Sequence, residues 1–444
     1  MSDSSTSSAI DTQSLPLAKP TAIAKSDKHI WGIFIALCLI SVIELYSASS
    51  REVANSSLGV IGPIVRHICM LAAGVGITWF VSRRHYSDVA LFTIIFSIIS
   101  AGAMIYVMFY GNYVNGARRS FSFLGIGIFP AEMVKISAVL LVAFIMSINQ
   151  DPRGGVTRKG MIWSTGVLVF FSALLIEQGL TNTLLLFGIT VSMMIIGGLK
   201  WRHLGEMFLV VLVCGVAFGG YLWVTEVRGG IPADATQNVE TVQSGTKANS
   251  RLDTWVARMS RHSADSVPKW EIEPVGVDRQ EILSYMAQAN GGVYGVGPGN
   301  SREASRLPLA FSDYIYAIVI EELGLIGGIV VLILYLWLMA RAASIASRCN
   351  MTYPALIVMG MAVMIVIQAL FHIGIVTGFF PVSGQPLPLI SKGGTSIFVT
   401  CIAFGIMLSV SRTATRRGDK RQDLTDEKAS LPEQLRNENT MQLN

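Results

Sequence analysis

Long apolar runs alternate with short polar segments along almost the whole chain. Ten of these runs have the length of roughly 20 residues that crosses the hydrocarbon of a bilayer as a helix. They cover residues 30–49, 63–82, 87–109, 131–149, 160–177, 180–199, 205–225, 311–340, 352–380 and 392–411. Two runs, 311–340 and 352–380, are overlong, so we expect these helices to tilt, to bend or to begin outside the bilayer. The pattern predicts an all-α integral membrane protein with about ten transmembrane helices.

One long polar insert interrupts this pattern, and a polar tail stands at each end of the chain. We therefore divide the chain into a disordered tail (1–29), transmembrane helices 1–7 (30–225), the insert (226–310), transmembrane helices 8–10 (311–411) and a basic, polar tail (412–444). Lys and Arg concentrate in alternate short loops and in the last tail. By the positive-inside rule, both tails are expected in the cytoplasm and the insert outside, as one large extracytoplasmic loop.

The composition supports a membrane protein. Hydrophobic residues make up 52% of the 444 residues and charged residues only 14%, whereas a soluble domain carries roughly 25%. The net charge of +5 is modest, and we predict no nucleic-acid partner. Four of the five cysteines lie in apolar runs and no CxxC pair occurs. We therefore predict neither a disulfide framework nor a zinc site.

Basic residues on the predicted outer face break the charge trend. Arg118 and Arg119 precede a helix on which Glu132 and Lys135 lie three residues apart, and so on one face. Ionisable groups at membrane depth are costly, and they usually face a cavity or each other. From the spacing alone two interpretations stay open: a site for an anionic head group, or a Glu–Lys pair that neutralises itself.

The polar insert carries further candidates for chemistry. It holds several arginines, the acids Glu273 and Asp278, and Gln280, which opens a predicted helix over 280–288. Arginines suit phosphate oxygens, and a carboxylate can serve as a general base. A glycine-rich run at 291–299 follows, but it lacks the Gly-Lys-Ser/Thr of a nucleotide-binding loop.

Two segments after the insert also suggest a polar cavity. Asp313, Glu321 and Glu322 lie at the start of the eighth apolar run. Residues 381–395 contain three prolines and three glycines, which preclude a helix. Irregular backbone at membrane depth is tolerated only where it is buried in protein or lines a cavity. A plain connector between the last two helices is the alternative.

Three ordered motifs together resemble the SEDS family of bacterial shape and division proteins. Residues 115–119 with 129–135 are similar to the family's first motif, residues 307–324 to its second and residues 368–396 to its C-terminal signature. The resemblance extends over nearly the whole chain from Ile30 to Arg412. The sequence Gly-Pro-Gly-Asn-Ser that ends at Ser301 is closer to the division branch than to the elongation branch.

The resemblance implies a peptidoglycan glycosyltransferase that polymerises lipid II at the outer face of the bacterial inner membrane, with undecaprenyl pyrophosphate as leaving group. The implied partners are a class B penicillin-binding protein, which crosslinks the strands, and other divisome membrane proteins. The sequence contains no set of ligands that would require a metal ion. Whether a divalent cation helps the reaction is left open. Two other classes also stay open: a lipid II flippase, and a non-catalytic scaffold that activates a partner synthase.

The resemblance also implies roles for individual residues. The family has an essential acid that is followed by a proline and, further on, by a glutamine. Alignment on the proline places Glu273 at the position of this acid, and alignment on the glutamine leaves Asp278 as the candidate. We rank Asp278 first. The predicted substrate-binding residues are Arg118, Arg119, Glu132, Lys135, Gln280, Asp313, Ser391 and Lys392. The chain departs from the family pattern at residues 178–183, which lack an acid, at Lys392 in place of an aromatic residue and at His372 in place of an asparagine.

Overall fold

The computed structural model describes residues 26–48, 61–114, 117–123, 126–151, 155–176, 178–228, 279–307 and 310–414. The predicted catalytic acids Glu273 and Asp278, and most of both predicted tails, lie outside these residues. The predicted division of the chain into domains therefore stays a prediction.

Eleven helices form the framework of the part of the chain that the structure describes. They are α1 (Lys28–Ala48), α2 (Ile61–Arg83), α3 (Tyr86–Tyr110), α4 (Pro130–Ile148), α5 (Arg158–Leu175), α6 (Leu180–Ile196), α7 (Trp201–Arg228), α8 (Arg279–Gly291), α9 (Ile315–Ala346), α10 (Thr352–Val376) and α11 (Gly394–Thr413). Each of the ten predicted apolar runs corresponds to one helix. The helix predicted over 280–288 is α8, which contributes to the end of the insert.

The predicted helical membrane fold is confirmed. Among the described helices, seven are long and apolar enough to cross a membrane: α1, α2, α3, α4, α9, α10 and α11. α6 is apolar but has only 17 residues. α4, α10 and α11 form the centre, since 72%, 72% and 78% of their most apolar stretches are buried, against 28–39% for the other four. Gly360 of α10 permits this packing, because a Cβ there would lie 2.7 Å from side-chain atoms of both Met193 and Val139.

A small antiparallel sheet, absent from the prediction, joins α3 to α4. Its strands are β1 (Asn112–Val114), β2 (Ala117–Phe123) and β3 (Ile126–Ile128), in the order β1-β2-β3. The end of the bundle that carries this sheet is called the sheet end below. The sheet is tied to α11, because the hydroxyl of Thr395 donates to Gly127 O at 3.0 Å and accepts from Phe129 N at 3.1 Å.

Asp27 fastens three helices together at the opposite end of the bundle. Its carboxylate accepts from the first backbone N–H groups of α1, among them His29 N at 2.9 Å, and from Arg341 Nε of α9 at 2.8 Å. Its own N–H donates to Ser411 Oγ of α11 at 3.1 Å. Burial opposes ionisation of this carboxyl, but the Arg341 and backbone hydrogen bonds outweigh burial and lower its pKa.

The glycine-rich run packs against a bend in α9 and does not form a phosphate loop. The bend lies at Gly324, whose φ is 74°. There residues 292–297 run beside the bent helix, and Gly297 N donates to Glu322 O at 2.9 Å. A Cβ on Gly295 would lie 2.1 Å from that same carbonyl oxygen. The close approach of the two backbones therefore requires glycine at this position.

The position of Glu321 had suggested that it lines a polar cavity. Instead, Glu321 stabilises the packing of the glycine-rich run against α9. Its carboxylate is fully buried and accepts from Arg302 N at 3.0 Å and from the Ser301 hydroxyl. A buried carboxylate that receives backbone N–H groups fixes the fold of the chain around it. Glu321 therefore holds the segment between α8 and α9.

Candidate functional site

A buried, irregular segment between α10 and α11 is the centre of the site. Side chains of α1, α9 and α10 satisfy its carbonyl oxygens. The donor–acceptor pairs are His372 Nδ1 to Gln385 O at 2.6 Å, Gln368 Nε2 to Pro386 O at 3.2 Å, Tyr335 OH to Pro388 O at 2.6 Å and Ser41 Oγ to Ile390 O at 3.1 Å. Residues 385–391 are buried or nearly so. This arrangement is what irregular backbone needs at membrane depth. We call residues 381–393 the buried loop.

Lys135 lies in the interior of the bundle beside this loop. Its side chain is fully buried, and Nζ donates to Glu132 Oε1 at 2.7 Å and to Gln368 Oε1 at 3.0 Å. Because Gln368 also donates to Pro386 O, the ion pair is joined to the buried loop. The predicted pairing of Glu132 with Lys135 is present, and it faces neighbouring helices. Binding of a substrate by the pair stays a prediction.

Arg118 and Arg119 point to opposite sides of β2, because successive side chains of a strand alternate. Arg118 Nη1 donates to Met108 O at 3.1 Å and to Phe109 O, near the last turn of α3. A basic side chain at helix C-terminal carbonyls is a common capping arrangement. Capping accounts for the position of Arg118, and its predicted head-group role stays a prediction.

Arg119 lies at the point where β2, α6 and Asp313 come together. Its Nη2 is 3.7 Å from the position that a Cβ on Gly179 would occupy. Asp313 Oδ1 accepts from the Ser312 hydroxyl at 2.9 Å, and its other oxygen lies 3.1 Å from the Cβ position at Gly384. The Arg119 guanidinium lies close enough to the Asp313 carboxyl group for their charges to interact. Two predicted site residues, Arg119 and Asp313, are thus brought together.

The first turn of α6 adjoins the buried loop. Gln385 Nε2 donates to Asn182 Oδ1 at 3.1 Å. Five polar atoms in this region are buried without a hydrogen-bond partner: Gln178 Nε2, Thr183 Oγ1, His372 Nε2, Ser383 Oγ and Gln385 Oε1. Each such atom costs about 1–3 kcal/mol. A cluster of costly groups of this kind points to a functional region more than to a stabilising core.

Ser391 and Lys392 contact other residues of the protein, both within the buried loop and in the segment before α9. The Ser391 hydroxyl donates to Ser312 O at 2.8 Å and accepts from Leu387 N at 2.7 Å. Lys392 N donates to Phe311 O at 2.9 Å, and its Nζ lies 5.0 Å from the centroid of the Phe311 ring. Both residues fasten the buried loop to the segment before α9. Their predicted role in substrate binding stays a prediction.

Gln280 lies at the start of α8 and is half-buried. α8 is attached to the end of α10, since Gln288 Nε2 donates to Val376 O at 2.8 Å. Binding of a substrate by Gln280 stays a prediction. Since Asp278 and Glu273 lie outside these residues, the identity of the base stays untested.

The buried residues His67 and Glu44, which were not among the predicted site residues, lie on the other side of the buried loop. The Ser41 hydroxyl that holds Ile390 O also lies 2.9 Å from His67 Nε2. Glu44, one turn after Ser41, is fully buried, and neither carboxylate oxygen has a hydrogen-bond partner. An acid and a histidine inside otherwise apolar runs were the available signal.

Comparison with known proteins places the chain in a family. Residues 27–416 match the family model described as cell cycle protein, FTSW_RODA_SPOVE. The chain is 28% identical over 353 residues to stage V sporulation protein E of Bacillus subtilis, covering 77% of this chain and 86% of that protein. It is 29% identical over 391 residues to the peptidoglycan glycosyltransferase MrdB of Escherichia coli K12, covering 85% and 91%.

Solved structures agree on the fold. One described as structural coordination of polymerization and crosslinking by a peptidoglycan synthase complex gives a TM-score of 0.64 at 19% identity, covering 88% of this chain and 99% of that chain. The rod shape determining protein RodA of Thermus thermophilus gives a TM-score of 0.58 at 18% identity, covering 88% and 98%. The chain belongs to the FtsW/RodA/SpoVE family of cell cycle proteins.

Proposed function

We propose that this protein is a peptidoglycan glycosyltransferase that polymerises lipid II into glycan strands during cell division. Family membership and relatives named as peptidoglycan glycosyltransferases support the reaction class. The observation that carries the proposal is the polar region at the sheet end, where Lys135, Arg119 and Asp313 surround one buried loop. An enzyme that works on an anionic head group beside a lipid chain needs such a region within the membrane.

The proposed reaction is glycosyl transfer with inversion at the donor. The 4-hydroxyl of the acceptor sugar attacks the anomeric carbon of the donor, and undecaprenyl pyrophosphate leaves. An acid of the insert removes the hydroxyl proton, and Asp278 is our first candidate, ahead of Glu273. Arg119 and Lys135 stabilise the negative charge that develops on the leaving diphosphate.

The exposed apolar surface of α7 suits the polyprenyl chain of the substrate. α7 packs on the bundle with the buried residues Leu204 and Met207, and Phe208 meets Phe187 of α6. From residue 212 to residue 216 every side chain of α7 is exposed. A helix that is apolar and exposed all round at this depth contacts lipid on every side. This exposed apolar part of α7 is our candidate surface for the chain.

The proposed location is the bacterial inner membrane, with both tails cytoplasmic and the insert outside. The alternation of basic loops supports this orientation. Single cysteines at Ser244 and Thr425 test it in intact cells. An impermeant reagent should label the first and spare the second, and the reverse pattern would exclude this orientation.

A class B penicillin-binding protein is the proposed partner, together with other divisome membrane proteins. A similar fold is described from a complex that coordinates polymerization and crosslinking, which supports such a partner. Crosslinking in cells, followed by identification of the crosslinked penicillin-binding protein, tests this pairing. Failure to recover any such protein would count against it.

The base is tested in a lipid II polymerisation assay on the purified protein with its partner. Asp278→Asn should lower the rate about 10²–10⁴-fold, the usual loss on removal of a general base. Glu273→Gln should leave more activity, and Glu206→Gln, at the opposite end of the bundle, is the control. If both acid variants polymerise at the parent rate, neither residue is the base. If the protein translocates lipid II but forms no polymer, a flippase is favoured instead. If it only activates a partner synthase, a scaffold is favoured.

A further inference from the structure

We infer that His372 is a positioning residue for the glycosyl transfer proposed above, on which this inference rests. His372 is placed to fix three groups at the sheet end through the backbone of Gln385, and it contacts none of the reacting atoms. The three groups are the first turn of α6, the carboxyl group of Asp313 and the ammonium group of Lys135.

The protonation of His372 is set by its hydrogen bond to Gln385. The side chain is 1% exposed, and its Nδ1 lies 2.6 Å from Gln385 O. A carbonyl oxygen only accepts hydrogen bonds, so Nδ1 carries the proton. Nε2 is buried without a partner, and a second proton there would place an unpaired charge inside the protein. His372 is therefore a neutral donor whose one hydrogen bond goes to the buried loop.

The first group is reached through the side chain of Gln385. Its Nε2 donates to Asn182 Oδ1, in the first turn of α6. That turn begins after Gly179, beside the guanidinium of Arg119. A displacement of Gln385 would break the contact with Asn182 and release the buried loop from α6.

The second group is reached through the residue before Gln385. Gly384 has a φ of 66°, and a Cβ there would lie 3.1 Å from Asp313 Oδ2. The Asp313 carboxyl group thus lies directly against the backbone of Gly384. The Gln385 carbonyl shares its peptide plane with Pro386, and only the Cα of Gln385 separates that plane from the one that begins at Gly384. A shift of the Gln385 carbonyl is therefore expected to displace the backbone that lies against Asp313.

The third group is reached through the residue after Gln385. Pro386 O accepts from Gln368 Nε2, and Gln368 lies one turn before His372 on the same face of α10. The other end of the Gln368 amide accepts from Lys135 Nζ at 3.0 Å. Two side chains of one helix thus hold consecutive carbonyls of the loop, and one of them also orients Lys135.

The expected effect follows from the irregular backbone of the buried loop. It is held by separate side-chain hydrogen bonds and not by a helix or a sheet ladder, so the loss of one bond lets the local backbone shift. A displacement of about 1 Å in groups that orient a substrate costs on the order of 10²-fold in rate. The loss should appear mainly in kcat, because the charge that Lys135 stabilises develops in the transition state.

A comparison of His372→Asn with His372→Leu tests this inference, because the two side chains have the same number and branching of non-hydrogen atoms. The Asn amide nitrogen occupies the position of His Nδ1 and can donate to Gln385 O, whereas Leu cannot. We expect H372N to keep kcat for lipid II polymerisation within about 3-fold of the parent, and H372L to lose roughly 10–100-fold. The KM for lipid II should stay within about 3-fold in both.

Gln385→Met supplies a second variant that leaves the His372 hydrogen bond in place. It should lower kcat, because it cuts the contact with Asn182. The double variant H372L/Q385M should lose no more than H372L alone, since both changes act through one residue. Full additivity of the two losses, or equal kcat values for H372L and H372N, would overturn the inference.

Hydrogen exchange separates this inference from the proposed function. We expect amides of residues 381–393 to exchange faster in H372L than in H372N, whether or not the parent polymerises lipid II. A parent without activity but with this difference in exchange would refute the glycosyltransferase and support the positioning of the loop. If the parent is active, and H372L and H372N have equal exchange rates and equal kcat values, only the positioning role is refuted.

Discussion

The buried pair of Glu132 and Lys135 gives the sharpest prediction about stability. Glu132→Ala leaves the Lys135 ammonium, which is fully buried, with Gln368 as its remaining hydrogen-bond partner among the contacts described above. Removing one partner of a buried ion pair costs roughly 3–5 kcal/mol. The unfolding equilibrium should therefore shift by about two to four orders of magnitude, since each decade corresponds to about 1.4 kcal/mol.

The double variant Glu132→Met/Lys135→Met is the decisive comparison. Replacing both charges by apolar groups of similar volume is often neutral in stability, because no charge is left buried. We expect this variant to regain most of the stability lost in Glu132→Ala while it remains inactive in polymerisation. The recovered stability would show that the pair serves the chemistry of the site more than the fold.

Unfolding of the purified protein by SDS titration measures these differences. Glu206→Ala is the control, because Glu206 pairs with Arg158 at 3.2 Å but Arg158 is 67% exposed. Such an exposed pair contributes at most about 1 kcal/mol. Equal destabilisation by Glu132→Ala, the double variant and Glu206→Ala would show that Lys135 and Glu132 do not form a buried ion pair of this kind.

Two further predictions concern the contacts that hold the helices together. Asp27→Asn should cost about 1–3 kcal/mol at pH 7, because it removes the charge that Arg341 contacts. The folded pKa of Asp27 lies below its ordinary value of 3.8, so this stabilisation is present above that value and disappears as the pH falls through the folded pKa. Unfolding curves of parent and variant should therefore converge in acid, and a constant difference at every pH would contradict the assignment. Gly295→Ala should abolish a stable fold, because its Cβ would lie 2.1 Å from Glu322 O, whereas Gly292→Ala, also at positive φ but with open space around it, should lose only about 1–2 kcal/mol. Thermal unfolding of the two proteins side by side measures this contrast, and equal melting temperatures would contradict it.

Sequence periodicity predicted the helices well because each is encoded locally. An apolar run of about 20 residues needs no knowledge of its neighbours to be recognised as a membrane helix. The irregular character of the buried loop was predictable for the same reason, from three prolines and three glycines in residues 381–395. The spacing of Glu132 and Lys135 likewise fixed their shared face before any fold was known.

The contacts that build the site could not be predicted in this way, because they join distant parts of the chain. Lys135 and Gln368 are 233 positions apart, and Gln385 and Asn182 are 203 apart. No local pattern encodes such pairings. The sheet escaped recognition because two of its strands have only three residues. Without β2, the different directions of Arg118 and Arg119 could not be foreseen.

The proposed glycosyl transfer is tested most directly by measuring both of its products. Purified protein, with the proposed class B penicillin-binding protein, is supplied with labelled lipid II, and released undecaprenyl pyrophosphate is counted against glycosidic bonds formed. We expect glycan strands with one diphosphate released for each bond, and loss of both products in the double variant Asp278→Asn/Glu273→Gln. The proposed reaction would be contradicted if that variant formed strands at the parent rate. It would also be contradicted if a folded parent with the partner formed no strands.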